Sequence, residues 1–201
     1  MNQATPAEKG VTLVGERNGL RLAILNKYST KTQGKIIASP NSPDLIDGVQ
    51  IEGLKVHPDD RGSFMELARL GSTGIAGRMA GGSGAQIQVS TTLAYAGTIK
   101  AIHYHYQQTD LWAPISGMLQ VFLYDLRRTS RTFGAINTVY AGQLQPWEIL
   151  IPPGVGHGYK VLGTQPAQLV YVTDRYYDPA DEGRLAYDHP EIGYDWETQR
   201  K

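Results

Sequence analysis

Three histidines and one aspartate stand at a spacing that suits a divalent metal. His103, His105 and Asp110 lie within the pattern G-x5-H-x-H-x4-D-x6-G. Side chains two residues apart on a strand point to the same face, so the first two histidines share one face. His157, in a later P-x-G-x2-H motif, can join them inside a barrel. Imidazole and carboxylate groups bind Zn, Fe, Ni or Mn, so the pattern predicts a metal site at His103, His105, Asp110 and His157.

The segments that must position these side chains have the composition of β-strands. Glycine and proline turns separate them, and helical periodicity is weak, which indicates a sandwich, a jelly roll or a barrel. The predicted strands are 49–56, 63–70, 85–95, 98–106, 111–115, 118–125, 135–140, 148–151, 158–162 and 167–176. Residues 1–45 are less regular and are predicted to form an N-terminal leader, in which 10–26 is either strand or short helix. Residues 46–201 are predicted to form the barrel.

Composition excludes several classes of protein. A chain of 201 residues suits one domain with a real core. Positive and negative residues balance at 19 each, which gives no electrostatic reason to expect nucleic acid or a membrane surface as partner. The absence of cysteine excludes disulfides and thiolate catalysis. The N-terminus does not resemble a secretory signal, and no long apolar run occurs, so a cytoplasmic protein is expected.

Residues 71–84 carry six glycines, a composition that raises the question of a phosphate-binding loop. Such a loop would end in Gly-Lys-Ser/Thr and lead into a helix, and neither feature is present. We therefore expect a mobile connection between strands here, with a role as a lid left open.

The two-part histidine pattern resembles that of the cupin superfamily, with Asp110 where glutamate is usual. The resemblance implies an all-β fold, the cupin jelly-roll barrel or double-stranded β-helix, in a single domain. A homodimer is expected because the edge strands of such a barrel need cover.

Six further motifs occur in unbroken order after residue 51. They are DDRGSFME at 59–66, KAIHY at 100–104, YDLRRTSRTFG at 124–134, LIPPGVGHG at 150–158, YVTDRYYDP at 171–179 and DHPEIGYDW at 188–196. In this series the chain resembles the dTDP-4-dehydrorhamnose 3,5-epimerase family of deoxysugar biosynthesis.

That resemblance implies an isomerase that epimerises a nucleotide-activated 4-keto-deoxysugar by removing a proton next to the ketone. It implies no required cofactor. His103 matches the family's base and Tyr171 its acid. The substrate-binding positions that it implies are Arg61, Gln88, Lys100, His157 and Tyr177. Lys100 has the opposite strand parity to His103, so its side chain is expected to face away, toward solvent or a diphosphate.

Three positions depart from the family pattern, one of which is the family's arginine three residues before the base, where this sequence has Lys100. The lysine that stabilises the enolate falls on Asp110, and the aspartate that partners the base would follow Trp196, where this sequence has no counterpart. A carboxylate beside an enolate is repulsive in a poorly solvated pocket. We hypothesise that a divalent cation at the four predicted ligands supplies the missing charge as a Lewis acid. His103 could then not serve as a free base, and a polar pocket of hydrogen-bonded histidines without metal is the alternative.

Three functions therefore stay open at this point. The first is the epimerase. The second is a metal-dependent cupin enzyme that acts on a small polar or oxidisable substrate. The third is a cupin that binds a sugar or nucleotide without catalysis.

Overall fold

The structure, a computed structural model, describes residues 10–27, 30–71, 73–79 and 86–197. These residues form short strands and one 3₁₀ helix, Ile75–Met79, and no helix among them is long and apolar enough to span a bilayer. The strands are β1 (Val11–Arg17), β2 (Leu20–Leu25), β3 (Lys35–Ile36), β4 (Gln50–Gly53), β5 (Val56–Asp59), β6 (Gly62–Met65), β7 (Gln88–Ala94), β8 (Ile99–His105), β9 (Asp110–Ser116), β10 (Met118–Asp125), β11 (Ile136–Gly142), β12 (Trp147–Ile151), β13 (Val155–Leu162), β14 (Ala167–Thr173) and β15 (Glu182–Arg184).

Two sheets face each other to form the barrel. One has the strand order β15-β8-β13-β10-β11-β3, and the other has the order β4-β12-β9-β14-β7. Strands that follow one another in the chain mostly lie in different sheets, and the spatial neighbours are antiparallel except where β3 runs parallel to β11. This is the crossing pattern of a jelly roll, so the predicted all-β jelly-roll barrel is confirmed.

The alternation of side chains along β10 shows where the core lies. Leu119, Val121 and Leu123 point between the two sheets, into a cluster that includes Trp112 of β9. Phe122 and Tyr124 point to the opposite face and belong to a second cluster. Both faces of β10 are therefore buried, which explains why this strand is an almost continuous apolar run.

Residues of the leader and of the C-terminal segment cover that second face. Leu22 and Ile24 of the β1–β2 hairpin pack there with Tyr194 and Trp196. The segment 10–26 is thus strand, one of the two alternatives left open, and β3 extends the six-stranded sheet. The described part of the leader is integral to the barrel rather than loosely attached.

The described part of the glycine-rich segment includes a buried 3₁₀ helix at residues 75–79, where we had expected a mobile connection. Ile75 and Met79 are buried against Leu111, Leu150 and Val172 on the outer face of the five-stranded sheet. Apolar burial of this kind holds the short helix in place. Residues 72 and 80–84 lie outside the described residues.

Candidate active site

A cavity of about 410 Å³ opens between the two sheets, and it brings together most of the predicted site residues. The six-stranded sheet contributes histidines, and the five-stranded sheet contributes Asp110, Trp112 and Tyr171. The residues that line it and bear on the chemistry are Gln88, Thr92, Lys100, His103, His105, Gln108, Asp110, Trp112, His157, Tyr159, Tyr171, Tyr177, Glu182 and Arg184.

Strand pairing places His103 in a row across the six-stranded sheet. Its Cα partner on β13 is His157, and its partner on β15 is Arg184. The rings of His103 and His157 have centroids 6.5 Å apart. Directly opposed residues of neighbouring strands share a face, so these three side chains all point to the cavity.

A β-bulge brings Lys100 to the same cavity, and the predicted orientation away from His103 was wrong. His157 pairs with His103, but Tyr159 pairs with Lys100, so two residues of β8 lie opposite the single Gly158. The extra residue reverses the alternation of side chains along β8. Glycine is required at 158 because a side chain there would collide with Ala101. The Lys100 ammonium donates a hydrogen bond to Thr92 (2.7 Å).

Three of the four predicted metal ligands converge. His105, Asp110 and His157 are all buried, and one ligand atom from each lies within 4.8 Å of the others. His103 is not a member of that group in the described part of the chain, so the structure does not assemble the four-residue ligand set. His103 lies closer to the mouth, with a third of its side chain exposed.

Asp110 and His157 form a close buried pair. Nε2 of His157 lies 3.2 Å from Oδ2 of Asp110, while Nδ1 of the same ring donates to the carbonyl of Val155 (3.0 Å). Burial by itself would raise the pKa of Asp110, but the hydrogen bond and charge of His157 outweigh it and hold the pKa of that carboxyl below its usual value. A ring nitrogen and a carboxylate oxygen at this separation need a proton or a cation between them.

The amide of Gln108 connects the remaining histidine to the same carboxylate. Its nitrogen donates to Oδ1 of Asp110 (2.7 Å) and lies 3.1 Å from Nε2 of His105, which therefore accepts. Burial lowers the pKa of His105, in agreement with a neutral ring. Nδ1 of His105 lies 4.0 Å from Asp181 and has no hydrogen-bond partner among the described residues. Gln108 thus stands where a cation shared by His105 and Asp110 would bind.

His103 has the properties of a general base. Burial, together with the charge of His157, lowers its pKa below the ordinary value, so the ring is neutral near pH 7 and can accept a proton. The carboxylate of Glu182 lies 3.7 Å from its Nδ1. Nε2, on the other side of the ring, is the nitrogen available to a substrate.

The opposite wall carries the predicted acid and two predicted binding residues. Tyr171 is half-buried on β14 and lines the cavity beside Trp112, its cross-strand partner. Gln88 accepts a hydrogen bond from the backbone N–H of Tyr177 (3.1 Å), which ties the start of β7 to the segment after β14. Tyr177 lies at the rim with more than half of its surface exposed.

Arg61 is the one predicted binding residue that does not line the cavity of the described chain. It lies in the turn of the exposed β5–β6 hairpin, and its guanidinium forms an ion pair with Asp59 (2.5 Å). Its side chain is 85% exposed, as expected for a local surface ion pair.

Sequence reasoning missed Gln108, Glu182 and Arg184. Gln108 lies in the turn between β8 and β9 and has no motif of its own. The alternation Glu-Gly-Arg at 182–184 is a weak sign of a strand with two charged residues on one face. Only the pairing of this strand with β8 reveals that the face is the one shared with the histidines.

Comparison with known proteins agrees with the family resemblance seen in the sequence motifs. The family model described as dTDP-4-dehydrorhamnose 3,5-epimerase matches residues 44–201. The spore coat polysaccharide biosynthesis protein SpsL of Bacillus subtilis is 42% identical over 162 residues, which cover 77% of this chain and 99% of that protein. The probable low-salt glycan biosynthesis epimerase Agl13 of Haloferax volcanii is 32% identical and covers 78% of this chain and 97% of its own length.

A solved structure shows the same likeness. The dTDP-6-deoxy-D-glucose-3,5-epimerase RmlC of Legionella pneumophila, in complex with dTDP-4-keto-L-rhamnose, superposes with a TM-score of 0.65 at 26% identity. The match covers 83% of this chain and 81% of that one.

Proposed function

Because the chain belongs to the dTDP-4-dehydrorhamnose 3,5-epimerase family, we propose that its cavity epimerises a nucleotide-activated 4-keto-deoxysugar with His103 as base and Tyr171 as acid. Members of this family are isomerases of 4-keto-deoxysugar nucleotides, and the enzyme class of this chain follows from its membership. The assignment of roles to residues is the part that is proposed.

The observation that carries the proposal is the placement of base and acid on opposite walls. His103 comes from the six-stranded sheet and Tyr171 from the five-stranded sheet, and both line one cavity. Inversion at a carbon requires that a proton leave one face of the sugar ring and another arrive at the opposite face. A ring that lies between the two sheets presents one face to each group.

The reaction follows from ordinary carbonyl chemistry. Nε2 of His103 takes the proton from the carbon next to the ketone, and the electrons of that C–H bond move to the ketone oxygen to form an enolate. The Tyr171 hydroxyl then donates its proton to the other face of the same carbon while the carbonyl re-forms. Solvent restores the proton of Tyr171 and removes the one held by His103, so the reaction is redox-neutral and needs no cofactor.

The negative charge of Asp110 need not oppose the enolate. His157 and Gln108 both contact that carboxylate at hydrogen-bonding distance, so its oxygens are engaged within the wall rather than presented bare to the substrate. Lys100 and Arg184 add two cations to the lining of the cavity. These charges suit the diphosphate of a nucleotide sugar.

Solvent-deuterium exchange tests the proposal directly. Wild-type protein in D₂O with dTDP-4-keto-6-deoxyglucose should place deuterium next to the ketone, as followed by proton NMR. His103→Asn should abolish the exchange, whereas His57→Asn, on the exposed β5–β6 hairpin, should leave it unchanged. Binding of the dTDP ligand without any exchange by the wild type would instead identify the non-catalytic binding protein.

A divalent metal at His105, Asp110 and His157 is the second candidate, and it would make the protein a metal-dependent cupin enzyme. The convergence of three buried ligand atoms supports it. The amide of Gln108 is the observation against it, because the amide must turn away before a cation can contact both His105 and Asp110. A bound metal would supply Lewis acidity toward a carbonyl.

Elemental mass spectrometry of the purified protein separates the two candidates. A metal enzyme should hold about one equivalent of Zn, Fe, Ni or Mn and should lose thermal stability with a chelator. Asp110→Ala should then lose the metal. Metal far below one equivalent, with exchange activity intact in the presence of a chelator, would refute this second candidate.

A homodimer is part of the proposal. β7 is an edge strand of the five-stranded sheet, and Val89, Leu93 and the adjacent Tyr95 are largely exposed in the single chain. An apolar edge of this kind, which has no partner strand on its outer side among the described residues, is a site for association with another copy. Analytical ultracentrifugation tests it: a monomer at micromolar concentration would contradict the dimer. The cytoplasmic location stays a prediction.

A further inference from the structure

Glu182 occupies a position that neither the motifs nor the proposed reaction assigns. It lies on β15, the short strand at the edge of the six-stranded sheet, and only 12% of its side chain is exposed. A carboxylate so far removed from water needs partners to offset the loss of hydration. The partners that the structure places beside it are His103 and Arg184.

Strand pairing explains how Glu182 reaches His103. On the antiparallel β8–β15 pair, Glu182 lies opposite His105 and Arg184 lies opposite His103. His103 is therefore the diagonal neighbour of Glu182 on the same face, a distance that a long side chain can span. The result is a separation of 3.7 Å between Oε2 of Glu182 and Nδ1 of His103.

The two carboxylate oxygens face different partners. Oε1 of Glu182 accepts a hydrogen bond from Nε of Arg184 (2.5 Å), which leaves Oε2 directed at the histidine. The Arg184 guanidinium thus fixes the orientation of the Glu182 carboxylate. This carboxylate faces Nδ1 of His103, the ring nitrogen on the side away from Nε2. A 3.7 Å separation exceeds a hydrogen bond, and such contacts commonly shorten when substrate binds.

We propose that Glu182 is a positioning residue for His103: it accepts a hydrogen bond from Nδ1–H and so keeps Nε2 free of hydrogen and directed at the substrate. The inference rests on the proposed function, in which His103 is the base. A carboxylate beside one ring nitrogen selects the tautomer with hydrogen on that nitrogen.

Kinetics of Glu182→Gln give the first test. The amide keeps the shape of the carboxylate but can donate as well as accept, so it no longer selects one tautomer. We expect kcat to fall about tenfold to a hundredfold, with KM changed by less than about threefold. Glu182→Asp retains the charge and should recover part of that loss. Glu16→Gln, which breaks an exposed Glu–Arg pair on the β1–β2 hairpin, is the matched control and should leave kcat unchanged.

Nitrogen-15 NMR of the histidine side chains gives a second readout that does not depend on activity. The His103 signals are identified by their absence in His103→Asn. The wild type should show hydrogen on Nδ1 and none on Nε2 at pH 8, and Glu182→Gln should show a mixture of the two tautomers. Melting curves confirm that each variant is folded.

The outcomes separate the inference from the function on which it rests. A wild type that exchanges no deuterium refutes the proposed function, while its tautomer spectrum still tests the contact of Glu182 with His103. An active Glu182→Gln variant with wild-type kcat and an unchanged tautomer refutes the inference alone. Equal losses in Glu182→Gln and Glu182→Asp, with the tautomer unchanged in both, would show that Glu182 has only a structural role.

Discussion

The Glu148→Gln variant should be more stable than the wild type above neutral pH. Glu148 on β12 is 4% exposed and lies directly opposite Glu52 of β4. Its Oε2 has no hydrogen-bond partner among the described residues. Glu52 is held in place because its carboxylate accepts the backbone N–H of Ile75 (2.9 Å). Burial, with the charge of Glu52 as a second cause, raises the pKa of Glu148 from 4.5 to about 7.

The sign of the effect follows from linkage. The pKa of Glu148 is higher in the folded than in the unfolded state, so the folded state binds this proton more tightly. Its contribution to stability is fully present below about pH 4.5 and is lost as the pH rises through about 7. Between these limits the free energy of unfolding falls by about 1.4 kcal/mol per pH unit, or about 3 kcal/mol in all.

Urea denaturation at pH 5 and pH 8, followed by tryptophan fluorescence, measures this loss. The glutamine variant cannot ionise, so the difference in unfolding free energy between variant and wild type should move by about 2.5 kcal/mol in favour of the variant over that interval. Glu52→Gln should reduce the slope of the wild type, and the exposed Glu16→Gln should not alter it. Wild-type and Glu148→Gln stabilities that change in parallel with pH would refute the reasoning.

Three further substitutions test the acid, the rim and the core. Tyr171→Phe should slow epimerisation by at least about a hundredfold while deuterium exchange by the base continues; equal losses of both would contradict the acid role. Lys100→Ala should raise KM for the dTDP-sugar about tenfold at low salt with kcat little changed, and initial rates at two ionic strengths check it. Phe122→Ala should lower the free energy of unfolding by about 3–5 kcal/mol in urea, and a loss below about 1 kcal/mol would mean that this side of β10 is not core.

Most strands of the barrel and eight of the residues that line the cavity could be predicted from the sequence. β-type composition and turn residues are local signals, and they placed all the barrel strands from β7 to β14 within a few residues. The His-x-His spacing placed His103 and His105 in one cavity because strand geometry leaves few alternatives. The second histidine motif added His157, and the family resemblance added Tyr171, Gln88 and Tyr177 to the same cavity.

Contacts between strands decided the rest. The bulge opposite Gly158 turned Lys100 into the cavity, and the pairing of β15 with β8 brought Glu182 to His103. Packing between the two sheets placed Asp110, His157 and Gln108 in one hydrogen-bonded group. His103 lies outside that group. Strand register and cross-sheet distance depend on how whole faces pack, and one extra residue in a strand reverses every orientation beyond it. A sequence pattern therefore names the groups that can do chemistry, whereas packing between distant segments decides which of them meet.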